Sequence, residues 1–179
     1  GTNYVYNSFF NPASSTKTAV IRRIWFGTET CDAAAVYTNS IVLVRTSSST
    51  AGTVVPASSI PKKHTGSAAS SMQVRWCGAT CASTITATYS GTTDSNLMTV
   101  ISPGAVGQTI GQREIVLGEN EDIVLQPGEG IGLYNAATGD VDDYVKIQVE
   151  WDEENSAPSS RGEYLIDIGP INGSTATTY

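Results

Sequence analysis

The chain has 179 residues, 40% hydrophobic and only 15% charged, enough for one well-buried core and too short for two ordinary domains. A formal charge of −7 and an isoelectric point near 4.5 argue against nucleic acid as a partner, because phosphate binding needs a concentrated cationic surface. No apolar run approaches the roughly 20 residues of a membrane-spanning helix, so no membrane partner is expected, and GTNYVYNSFFNP has no basic region leading into an apolar stretch, so no signal peptide is expected.

The opening residues are mixed aromatic and polar and read as an N-terminal arm over 1–17. Residues 18–26, TAVIRRIWF, are β-branched and aromatic and follow the polar loop NPASSTK, as a first strand should. Residues 41–45, IVLVR, give a second; between the two, AAAVYTNS fits a strand start or one helical turn. Residues 46–71 form a long irregular connection in which Gly, Pro and Ser interrupt every apolar group, with one short edge strand at 53–55. The strand pattern resumes at 72–76, and in 83–89 Thr84, Thr86 and Thr88 alternate with Ile85, Ala87 and Tyr89. Further strands are expected at 97–101, 114–117, 122–126 and 131–135, the last two flanking PGEG as a hairpin whose turn uses Pro127 for its fixed φ and Gly128 or Gly130 for a positive one.

Residues 144–151 alternate most clearly, with Val145, Ile147, Val149 and Trp151 on one face and Tyr144, Lys146, Gln148 and Glu150 on the other. Strands separated by turn signals, with no amphipathic helix, imply an all-β fold: an antiparallel β-sandwich of the jelly-roll type over 18–152, with an immunoglobulin-like sandwich as the runner-up. After residue 152 the sequence becomes polar and rich in Gly and Pro around one apolar cluster, YLIDI, and reads as a C-terminal arm over 153–179 able to add a strand to an open sheet edge.

Chemistry-bearing motifs are sparse. Cys31, Cys77 and Cys81 cannot all pair within one chain; Cys77 with Cys81 closes a small loop in WCGATC, and Cys31 with either is the alternative. Three thiols and a single histidine fit no zinc-finger spacing. His64, in PKKHTG, has no nucleophile motif to serve and reads as a solvated loop histidine. The segment GDVDDYVKIQVEWDEE, residues 139–154, gathers seven of the chain's carboxylates. Asp140, Asp142 and Asp143 precede the strand in a Gly-led loop and are weak calcium candidates off the EF-hand spacing. Glu150 and Asp152 share a strand face as a glycosidase pair would, but nothing beside them supports catalysis. Glu153 and Glu154 read as the exit into the arm. No catalytic residues and no cofactor are expected. Residues 1–90 carry Lys17, Arg22, Arg23, Arg45, Lys62, Lys63 and Arg75 against only Glu29 and Asp32, so the acid lies in the second half, and basic and acidic faces of neighbouring copies can meet.

Three stretches together resemble one family. FNPASSTKTAVIRRIWF, the pair GTVVPASSI and SAASSMQVRW, and IVLQPGEGIGLYNAATGDVDDYVKIQVEWDEE are similar to segments of small jelly-roll virion proteins of tailed bacteriophages, of the head-decoration or fibre type. The likeness covers residues 9–154 in patches. It implies a non-enzymatic capsid decoration or cement protein on the virion surface, a homo-oligomer in threefold arrangement with the major capsid or another virion protein as partner. The CGATC segment and the stretch after Trp151 depart from that family.

On this reading Tyr4, Tyr6, Phe9 and Phe10 in the first arm, and Tyr164, Leu165 and Ile166 in the second, are the expected assembly contacts. The alternatives are a glycan- or receptor-binding module of a fibre or tail, using the Thr-rich face at 84–88, and an extracellular filament subunit assembled by strand donation. Trp25, Trp76 and Trp151 all lie in strand patterns that suggest burial, which weighs against the glycan reading.

Overall fold

The computed structural model describes residues 4–30, 41–77, 85–88, 96–101, 112–117, 122–135 and 143–155. Within them the chain forms β1 (Tyr4–Phe10), β2 (Thr18–Thr30), β3 (Ile41–Thr46), β4 (Ser48–Ala51), β5 (Thr53–Val55), β6 (Gln73–Trp76), β7 (Ile85–Thr88), β8 (Asn96–Ile101), β9 (Gln112–Val116), β10 (Ile123–Leu125), β11 (Gly130–Asn135) and β12 (Asp143–Glu154). One short 3-10 turn, Ala57–Ser59, interrupts the β5–β6 connection.

Every strand pairing is antiparallel. The larger sheet has the order β5-β6-β1-β11-β3-β8; the smaller has β10-β2-β12, with β9 also on β2; β4 and β7 pair as a ribbon. The core lies between the two main sheets. Ile21, Ile24 and Phe26 of β2 and Leu125 of β10 meet Phe9 of β1, Leu43 of β3 and Ile131 and Leu133 of β11. Burying each such side chain contributes about 1.5–3 kcal/mol. The chain is thus an all-β sandwich.

Strand β2 shows how a local irregularity serves this core. Its ladder with β12 slips where Glu150 pairs with Arg23 and Trp151 with Ile21, leaving Arg22 as the extra residue of a β-bulge. The bulge resets the alternation. Ile21 and Ile24, three apart, therefore both point inward and are fully buried, while the consecutive arginines stay off the core.

Three sequence expectations change. The first residues are not a free arm: β1 is hydrogen-bonded on one side to β11 and on the other to β6, and Val5, Phe9 and Phe10 are buried. Pairing on both sides satisfies its backbone, which a terminal segment read alone cannot show. The strand expected at 144–151 runs past 152, since Glu153 and Glu154 pair with Ala19 and Thr18. PGEG does not close a hairpin, because β10 belongs to the smaller sheet and β11 to the larger.

Asn11 fastens that crossing. Its backbone amide donates to the carbonyl of Glu129 (2.8 Å), its carbonyl accepts from the amide of Gly128 (2.8 Å), and its side-chain Nδ2 donates to the carbonyls of Lys17 (2.8 Å) and Leu125 (3.0 Å). The Asn-Pro loop thereby clasps the PGEG turn. Gly128 supplies the positive φ, 91°. Gly130 serves packing instead: a Cβ there would lie 2.7 Å from Thr46 Oγ1 and 2.8 Å from both the Phe9 carbonyl oxygen and the Phe10 ring.

Candidate functional site

Among the described residues β12 pairs on one side only, with β2. Along its other edge the β5–β6 connection passes over the side of the sandwich. A groove of about 950 Å³ lies between them. Val149, Trp151 and Glu153 from β12 line one wall together with the outward-facing Gln148, Glu150 and Asp152; Ile60, Lys62, Lys63, His64 and Ser67 line the other; Phe9, Val55 and Val74 lie among the further lining residues.

Glu153 joins the two walls. Alternation from Val149 and Trp151 carries it onto the inner face of β12. There its carboxylate accepts hydrogen bonds from the Ser71 amide (3.0 Å) and hydroxyl (2.8 Å), from the Ser70 hydroxyl and from Trp151 Nε1 (3.3 Å), with Lys17 Nζ at 3.3 Å. Burial pushes its pKa upward, but the donors from Ser70, Ser71 and Trp151 outweigh burial and hold it down at about 2. An ionised carboxylate ringed by donors is a structural clamp. Trp151 is in turn braced by Phe9 across the core, ring centroids 6.3 Å apart in an edge-on arrangement.

Two cations pair with carboxylates on the outer face of β12. Lys63 reaches from the connection to Glu150. Arg22, projected by the bulge, donates through Nη1 to Asp122 (2.6 Å) and through Nε to Asp152 (2.9 Å), with Glu154 at 3.6 Å. Its hydrogen bond to Asp152, against some burial, and the charges of Asp122 and Asp152 raise its pKa further. Glu150 and Asp152 are therefore each committed to a different cation.

The expected assembly contacts divide. Phe9 and Phe10 are core residues of their own chain, and Tyr6 packs against that core, as paired strand residues do and arm residues do not. Tyr4 pairs through its backbone with Asn135. Tyr164, Leu165 and Ile166 lie outside the described residues, as do Asp140 and Asp142 of the calcium expectation, while Asp143 opens β12 opposite Thr30. Among the described residues no group of three His, Cys, Asp or Glu is placed to hold a metal ion, and no helix is long and apolar enough to cross a membrane. Cys77 is buried and disulfide-bonded; Cys31 and Cys81 lie outside the described residues.

The expectation that all three tryptophans are buried fails for Trp76, which is 44% exposed at the end of β6. Trp25 and Trp151 are half-buried, and Trp25 also lines the groove. On the Thr-rich face Thr86 and Thr88 are exposed, and Thr88 is tied to Ser48 of β4 through both its amide and its hydroxyl. Glu153 was the residue that sequence reasoning missed: extending the alternation of β12 by one step would have placed it inward.

Comparison with protein-family models, with curated proteins and with solved structures finds no match.

Proposed function

We propose that this chain is a non-enzymatic structural component of a bacteriophage virion, a capsid decoration protein with a jelly-roll sandwich that docks on the shell as a homo-oligomer, a trimer in the first instance. The observation that carries this reading is the nesting of the strand pairs. β1 pairs with β11, β2 with β9 and β10, β3 with β8, and β4 with β7. A long hairpin folded over itself wraps in this way, with outermost strands paired and each inner pair enclosed, and the resulting jelly roll is a common architecture of viral capsid domains. The β5–β6 insertion and β12 then extend the two sheets beyond the nested set.

Three further features support the reading. The Asn-Pro loop and the PGEG turn, both among the stretches that resemble phage virion proteins, form one hydrogen-bonded unit. Trp76 and Val54 are exposed on β6 and on the edge strand β5, where an aromatic anchor beside an open edge suits a protein partner. The disulfide at Cys77 suits a protein that works outside the cell.

Purified particles of a phage encoding this chain test the proposal: mass spectrometry should find the protein in stoichiometric amounts on the head. Its absence from intact particles would overturn the assignment. The half-buried Trp25 beside polar side chains in the groove favours a second reading, a glycan-binding module, since jelly rolls also serve as lectins. Saturable saccharide binding by the isolated protein, lost in Trp25→Ala, would select it.

A further inference from the structure

A sheet edge as long as β12 is a hazard if left bare, because its amides and carbonyls are a template for another chain, and proteins cover such edges; among the described residues no strand pairs with it. Here that edge faces a groove lined on its inner side by Val149, Trp151 and Val74, with Glu153 at one end, and whose rim carries Lys63. We propose that the groove is the docking site of this chain's own residues 164–168, YLIDI, which add to β12 as an antiparallel strand.

Three observations point to that occupant. The chain leaves β12 at Asn155, at one end of the groove. The nine residues from 155 to 163 include Pro158 and Gly162, suited to a reversal, and span up to about 30 Å when extended. The groove-lining part of β12, Gln148 to Glu154, is about 23 Å long, so the segment has ample reach. Second, residues 164–168 are the alternating apolar run of the segment that follows: with Tyr164, Ile166 and Ile168 on the side of Val149 and Trp151, Asp167 falls on the outer side, near the cation of Lys63. Third, tethering makes the contact intramolecular, which raises its effective concentration to the millimolar range over any separate chain. Main-chain pairing gives the affinity and the alternate side chains give the register. The inference is independent of any role on a virion.

Hydrogen exchange on the full chain tests it, together with nuclear Overhauser contacts. In the wild type, those amides of residues 148–154 that point away from β2 should be protected, equally across a hundredfold dilution, and the Trp151 ring should show contacts to an Ile166 or Ile168 methyl. Ile166→Asp should speed exchange of those amides at least tenfold while β3 and β11 stay protected; Ile168→Asp is the second variant should the first disturb the fold. Fast exchange of the edge amides in the wild type, or no Trp151 contact to either isoleucine, overturns the proposal. Protection that falls on dilution together with a fall in mass also overturns it, and assigns the groove to a strand from a second copy.

Discussion

The carboxylate of Glu153 accepts a hydrogen bond from the backbone amide of Ser71, 82 residues away in sequence. Through this bond and its companions from Ser70, Ser71 and Trp151, one side chain fastens the β5–β6 insertion to β12.

Glu153→Gln should destabilise the protein by about 1–2 kcal/mol at neutral pH, the range for a partly screened charged acceptor. The pH dependence has a definite sign. The native pKa is about 2 against an ordinary 4.5, so the ionised group's contribution is complete above pH 4.5 and is lost as the pH falls through about 2. Urea midpoints of wild type and variant should therefore differ at pH 7 and converge across that acid window. A constant gap down to pH 2 would show that the clamp does not depend on ionisation.

Asn11→Ala removes the donor shared by the Lys17 and Leu125 carbonyls. Leaving buried acceptors unpaired costs about 2–3 kcal/mol. Asn11→Asp should be at least as damaging, since a carboxylate there would face carbonyl oxygens. Equilibrium denaturation of both variants measures this, and a loss below 0.5 kcal/mol would exclude the clasp as a principal tie.

Gly130→Ala places a methyl group within 2.8 Å of the Phe9 carbonyl oxygen and the Phe10 ring. Overpacking of this kind costs about 1–3 kcal/mol. The same substitution at Gly66, which has open space around it, should be nearly neutral. Thermal melts of the two variants provide the comparison.

Arg22→Met should cost about 1 kcal/mol, because the pairs it makes with Asp122, Asp152 and Glu154 are partly exposed and surface ion pairs contribute little. The loss should shrink when stability is measured in about 1 M salt, where the screening length is near 3 Å. Arg22→Lys should recover only part of it, a lysine lacking the fork that reaches two carboxylates at once.

Much of the fold was legible where alternation is strong and local. Residues 41–45 and 144–151 announce their strands, and 53–55 was expected as the short edge strand that β5 proves to be. Residues 4–10 did not, because Asn7 and Ser8 interrupt the apolar pattern, and both are buried only through the strands on either side. The bulge was visible in principle as two buried isoleucines three apart flanking Arg22 and Arg23. The candidate site was less legible: Ser70 and Ser71 sit in a serine-rich connection, and nothing local distinguishes them from their neighbours. The destination of the PGEG turn was equally hidden, since a turn's residues set its geometry but not which sheet receives the next strand.

The nesting of strand pairs has a consequence for how the chain comes into being. Tyr4 meets Asn135 and Thr18 meets Glu154, so on a ribosome the first strands must wait for almost the entire described chain before their partners emerge. Contacts this distant in sequence place the domain among slow folders, in the millisecond-to-second range. Until then the apolar face of β2 lacks the sheet that covers it, the condition in which unfinished chains associate with one another. Closure of the sandwich and association between copies thus draw on the same face, and β12 is the described strand that emerges last.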